Sequence, residues 1–148
     1  MIIKALINTH SDNSYGILVL RVGTGLTLAA HGSQKLFAWF GGYGLEGTGQ
    51  WMDSIGITPG YLMALLAGSA EFFGGLALVI GLLTRPAAAV TAFTMLVALF
   101  TVHFANGFFL SNNGFEYALA LATASIAILL SGAGKVSIDN LIAKRLSK

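Results

Sequence analysis

The sequence has no cysteine, only two prolines and very little charge, with Asp, Glu, Lys and Arg making up 9% of its 148 residues. Without cysteine it has no structural disulfide, thiol redox chemistry, cysteine-ligated zinc or iron–sulfur cluster, and its redox compartment is left open. An electron-transfer role would need a borrowed or diffusible cofactor. Phosphate-binding loops, hydrolase elbows and nucleotide fingerprints are also missing. What remains is apolar: 55% of residues are hydrophobic and mean hydropathy is +0.78, far from a soluble average. This composition predicts an integral membrane protein. The net charge of +2 and pI near 9.1 come from a few Lys and Arg near the ends of apolar segments, which is topology rather than a nucleic-acid footprint.

At about 20 residues per crossing, the chain has room for about four spanning helices in a single membrane domain over residues 1–148. The predicted fold is all-α, an up-down four-helix membrane bundle with spans near 15–37, 61–83, 87–105 and 115–133 and a short interfacial helix between the first two. The second span, Tyr61 to Leu83, carries Glu71 at its midpoint. An acid at the centre of a bilayer costs at least a few kcal/mol, so Glu71 is expected to face the bundle interior with a partner or a function.

Met1 to Ser14 reads as a short cytoplasmic or interfacial lead-in, too interrupted for a signal peptide. In the first span Arg21, Thr24, Leu28, His31 and Lys35 follow steps of three and four and form one polar stripe, beside Gly23 and Gly25, which would let another helix approach. Trp39, Phe40, Tyr43 and Trp51 suit a membrane–water interface, and a surface helix is expected from Thr48 to Ile55 with Trp51, Met52 and Ile55 facing lipid. Pro59 precedes the second span, and Thr84-Arg85-Pro86 reads as a tight turn joining the second and third spans. His103 lies near the far end of the third span and Glu116 at the start of the fourth. Ala118, Ala122 and Ser125 form a small-residue packing face, and an amphipathic tail begins at Lys135.

Four spans put Lys4, Arg85, Lys135, Lys144, Arg145 and Lys148 on one side and Lys35 on the other, so both termini are expected in the cytoplasm. Counting about 1.5 Å per residue from the cytoplasmic ends puts His31 at about 24 Å and His103 at about 25 Å, level with one another. Arg21 and Glu71 differ by about 9 Å on this count, so they form an ion pair if their helices touch; snorkelling to the surface is the alternative for Arg21. His31, Lys35, Glu71 and His103, with Glu116, are the candidate ligand-binding residues, and Arg21–Glu71 the candidate structural ion pair. A His-His-Glu metal site would draw on three helices with no short spacing motif, so no metal is assigned.

Several stretches resemble the DoxX family of small bacterial four-helix membrane proteins: LRVGTGLTLAAHGSQKLF, GTGQWMDSIGI, EFFGGLALVIGLLTRPAA, TVHFANGFF and GAGKVSID. The resemblance runs from about Tyr15 to Asn140 and is most specific at GSQKL, at Glu71 with Gly74 and Gly75, at GLLTR, and at Ser137-Ile138-Asp139. Lys35, Glu71, Arg85 and His103 match family positions; the loop with Asn112, Asn113 and Glu116 departs from the pattern. Members are similar to the small subunit of an archaeal thiosulfate:quinone oxidoreductase and to membrane parts of oxidative-stress complexes.

Two functions follow as expectations. In the first, the chain is an inner-membrane subunit of a redox-related complex that holds a quinone headgroup in the outer half of the bundle. His31 or His103 bonds a carbonyl, Glu71 or Glu116 handles the proton, Phe72, Phe104 and Phe108 supply stacking, and partner redox subunits supply electrons. In the second, it is a non-catalytic membrane anchor or assembly module whose buried polar groups fix helix register. A small proton-coupled transporter fits four uninterrupted helices less well. The lipid bilayer is the expected partner, a homo-oligomer is left open, and nucleic acid is excluded.

Overall fold

A computed structural model describes residues 14–147, whose regular structure is all helical, with no strand among the described residues. The Met1–Asn13 part of the lead-in, Lys4 with it, and Lys148 lie outside the described residues. The helices are α1 (Tyr15–Phe37), α2 (Gly44–Ser54), α3 (Gly60–Ile80), α4 (Thr84–Ala98), α5 (Glu116–Ser131) and α6 (Ile138–Leu146). α1 packs on α3, α3 on α4, α4 on α5 and α5 back on α1, while α2 lies against α3.

The α1–α3 seam is made by small residues that let the backbones touch. A Cβ on Gly25 would stand 2.6 Å from the Gly75 carbonyl oxygen, and one on Gly75 2.6 Å from the Ala29 nitrogen. Further along, Gly32 lies against Phe72 and Leu36 against Gly68, one constant antiparallel register. Gly23, expected to help in this approach, meets nothing and is exposed, because it points away from α3. The core alongside is Leu28, Leu78, Ala88, Ala122 and Ile128. Ala118, Ala122 and Ser125 are all buried on one face of α5, and the Thr91 hydroxyl bonds that of Ser125 at 3.2 Å across the α4–α5 contact.

Several boundaries differ from those predicted. The second segment ends as a helix at Ile80, because Gly81 takes φ 69° and stops it in the left-handed conformation that glycine tolerates. Thr84-Arg85-Pro86 is therefore not the turn but the first turn of α4, where a proline forfeits no helical hydrogen bond. The turn is Gly81–Leu83. The third segment is α-helical to Ala98, widens into a π turn over Leu99–His103 and tightens into a 3-10 turn at Phe104–Asn106. The surface helix runs Gly44–Ser54 rather than Thr48–Ile55, and Met52, expected to face outward, is buried. Thr48, Gly49 and Met52 form the side of α2 turned to α3, where the Asp53 carboxylate accepts a 2.7 Å hydrogen bond from the Gly60 N–H. Trp51 and Ile55 do stay exposed.

Two helices, Gly60–Ile80 and Thr84–Asn106, are long and apolar enough to cross a membrane, and Glu116–Ser131 is a shorter apolar helix. Large apolar side chains cover the exterior, among them Val19, Leu26, Phe73, Phe93, Phe100 and Leu130. A groove of about 500 Å³ opens on that exterior between α3 and α4, lined by Leu66, Phe73, Gly74, Ala77, Pro86 and Val90 among others.

Candidate functional site

The α1–α3 register sets the site. It brings Glu71 level with Ser33, two residues and about 3 Å of rise from Lys35. Glu71 is buried, 3% exposed, and its Oε2 accepts a 2.6 Å hydrogen bond from Lys35 Nζ, whose side chain keeps 25% of its surface exposed. This is the single ion pair among the described residues. Gly68 makes room for it, since a Cβ there would stand 3.2 Å from that of Lys35. His31, one turn back along α1, lies close enough to feel the charges of both Lys35 and Glu71, and its ring sits 5.7 Å from that of Tyr117 on α5. Phe72, the residue after Glu71, joins an aromatic cluster, meeting Phe37 at 5.1 Å and Trp39 at 6.4 Å.

Arg21 does not pair with Glu71. The same register leaves about 18 Å of helix rise between them, because α3 ends at Ile80 and the first turns of α1 project beyond it. Nor does Arg21 snorkel; it is fully buried. One terminal nitrogen donates to the Leu78 and Val79 carbonyls at 2.7 and 2.8 Å, and the other to Lys135 and Val136 at 3.3 and 2.9 Å. It thus caps the carbonyl end of α3 and ties the loop before α6 across it. Asp139 does the complementary work, accepting from the Leu83 and Thr84 N–H groups, each at 2.8 Å, at the start of α4. Asp139 is 1% exposed and is the acid whose charge Arg21 feels. Its role was not read from the sequence, although the Ser-Ile-Asp run that opens α6 with Ser137 as N-cap was there to suggest a fixed point.

His103 and Glu116 join a different cluster. The π turn aims His103 Nδ1 at the Asn113 carbonyl, 2.9 Å away, and since a carbonyl only accepts, Nδ1 carries a proton. Asn106 donates to the same carbonyl at 3.2 Å. Glu116 accepts from the Leu110 N–H at 2.6 Å, so it fastens the Gly107–Gly114 loop to the start of α5. Phe104 and Phe115 stack there with ring centres 5.6 Å apart. Of the predicted set, then, His31, Lys35 and Glu71 come together, while His103 and Glu116 hold the neighbouring loop. Among the described residues no three His, Cys, Asp or Glu side chains are grouped to hold a metal ion.

A small all-helical protein with an apolar exterior, a glycine-lined helix seam and one buried ion pair across it is the class these features define. Residues 16–104 match the DoxX family, and the chain belongs to it. It is 35% identical over 129 residues to a Bacillus subtilis (strain 168) protein named "Putative oxidoreductase CatD", an overlap of 87% of this chain and 88% of that one. It is also 35% identical over 132 residues to the "Inner membrane protein YqjF" of Escherichia coli (strain K12), covering 88% and 94% of the two chains. A Haemophilus influenzae protein is 31% identical over 145 residues, 93% of this chain and 98% of its own. No solved structure matches.

Proposed function

We propose that the chain is an up-down four-helix membrane protein of the bacterial inner membrane, with both termini cytoplasmic, that serves as the membrane subunit of a quinone-linked redox complex. The names of two relatives, "Inner membrane protein YqjF" and "Putative oxidoreductase CatD", support the reading. So does charge: Arg85, Lys135, Lys144 and Arg145 lie at the Arg21 end, whereas the other end has Lys35 alone, with Glu46, Asp53 and Glu116. Trp39, Phe40, Tyr43, Trp51, Phe104 and Phe108 ring that second end, as amphipathic and aromatic groups do at headgroup depth.

The observation that carries the ligand reading is the Lys35–Glu71 pair with His31 beside it. One lysine N–H meets Glu71, and the exposed quarter of the side chain leaves the ammonium's other donors for a carbonyl oxygen arriving from the headgroup layer. A quinone takes up two electrons and two protons when reduced. In this site Lys35 binds and orients the carbonyl, Phe72, Phe37 and Trp39 provide the ring contact, and His31 passes on the protons, with the Glu71 carboxylate beside it as a proton acceptor. Electrons come from a partner subunit. A short-tailed quinone titrated into the purified protein tests this: His31→Ala and Lys35→Met should each weaken binding about tenfold, the worth of one lost hydrogen bond of about 1.4 kcal/mol. If the wild type does not bind, or all three proteins bind alike, the reading fails.

The pair also suits the anchor reading, since it bridges α1 and α3 and fixes their register. In that case His31→Ala leaves function intact while Glu71→Ala loses folded protein.

A further inference from the structure

We propose that α6 is a docking surface for anionic phospholipid headgroups of the leaflet at the Arg21 end, an inference that rests on the membrane reading above. Leu141, Lys144 and Arg145 stand at steps of three and four and so share one face of α6. Leu141 is 62% exposed, both cations are exposed, and Val136 in the preceding loop is 73% exposed. The opposite face is fixed: Asp139 is buried against the start of α4, the Asp139 N–H donates to the Gly81 carbonyl at 2.9 Å, and Arg21 holds the Lys135 and Val136 carbonyls. Two independent ties thus hold the start of a nine-residue helix at this end, where Ile80, Leu83 and Leu130 are exposed. An apolar residue flanked by cations at that level matches acyl chains below and phosphates beside them. Charge selects the sign of the partner: this end is rich in Arg and Lys, whereas the other carries Glu46, Asp53 and Glu116.

Because the chain has no cysteine, Leu141→Cys supplies a unique labelling point for an environment-sensitive fluorophore, and Ser54→Cys supplies one at the opposite end. Each labelled full-length protein is placed in lipid nanodiscs of phosphatidylcholine alone or mixed with phosphatidylglycerol. The label at position 141 should shift to the blue when phosphatidylglycerol is present, high salt should reverse the shift, and the label at position 54 should not respond. In micelles titrated with phosphatidylglycerol, Lys144→Gln with Arg145→Gln should raise the half-saturation point about thirtyfold, the equivalent of two surface cations. If both labels respond alike, or the response at position 141 survives the double substitution, the α6 proposal is overturned and the membrane reading stands. A chain that stays out of the neutral discs overturns the membrane reading and the α6 proposal with it.

Discussion

Removing Lys35 should cost far more than its single hydrogen bond. Glu71 is 3% exposed, and among the described residues its side chain has Lys35 Nζ as its one hydrogen-bond donor, at 2.6 Å. At this separation the attraction is roughly 6 kcal/mol at an effective dielectric of 20. Several kcal/mol of desolvation per ion offset it, so the net worth of the intact pair is small. Breaking a pair is a different matter. Truncation of one partner strands the other charge, at about 3–5 kcal/mol where both are buried. Lys35 is a quarter exposed, which puts Lys35→Met near the low end, about 3 kcal/mol. Glu71→Gln should cost less, about 1–2 kcal/mol, because the lysine left behind reaches solvent and the amide oxygen still accepts. The double variant Lys35→Met, Glu71→Met leaves no stranded charge and should be no worse than Lys35→Met alone. Reversible unfolding of the single Met variants and the double variant in mixed micelles, followed by far-ultraviolet circular dichroism, closes the cycle with a coupling of about 2 kcal/mol. Single effects that add to within about 0.5 kcal/mol would refute the argument, since additivity means the two side chains do not share their energy.

Three further outcomes can be measured in the same way. Arg21→Lys should lose about 2 kcal/mol, because one compact ammonium cannot serve carbonyls on both α3 and the 135–136 loop as the guanidinium fork does; wild-type stability would refute the cap. Asp139→Ala should cost about 2 kcal/mol and Asp139→Asn about half of that, since an amide keeps one of the two acceptors at the start of α4; equal losses would count against the paired-acceptor geometry. Gly75→Ala should destabilise by about 1–3 kcal/mol, whereas Gly23→Ala, with open space around it, should be neutral or stabilising by up to about 1 kcal/mol. Matching signs at the two positions would mean the seam is not where the backbones meet.

Helices were the legible part of the chain. The segment Tyr15–Phe37 coincides with α1 because its polar stripe and its apolar remainder repeat at the helical period, which is a local property. The ends of the later helices were less legible, for reasons outside the segments themselves. Thr84 starts α4 because a carboxylate more than fifty residues away supplies the missing acceptor, and nothing in Thr84-Arg85-Pro86 announces that donor's partner. Met52 faces inward because α2 lies on α3, a contact that an amphipathic pattern of eleven residues does not specify. The level placement of the two histidines also misled. His103 leaves the α-helical path at the π turn and is drawn to Asn113, so equal depth did not become proximity to the Lys35–Glu71 pair.

The decisive unread quantity was register. Counting rise from the helix ends assumes that α1 and α3 begin level, and under that assumption Arg21 is the cation within reach of Glu71. Yet the seam is marked by glycines: Gly25 lies against Gly75 and Val79, and Gly32 against Phe72, where a Cβ on either glycine would strike backbone. That alignment slides α1 past the end of α3, so the Arg21 guanidinium meets bare helix carbonyls and Glu71 meets Lys35 instead. Two cations on one stripe of α1 thereby acquire different work, one capping a helix and one completing a buried pair. The divergence follows from which residues lack a Cβ, and the charges themselves carry no trace of it. Glycine spacing on facing helices is therefore the feature that decides which charges meet in this fold, and it was present in the sequence as Gly25, Gly32, Gly68 and Gly75, awaiting only the knowledge of which two helices touch.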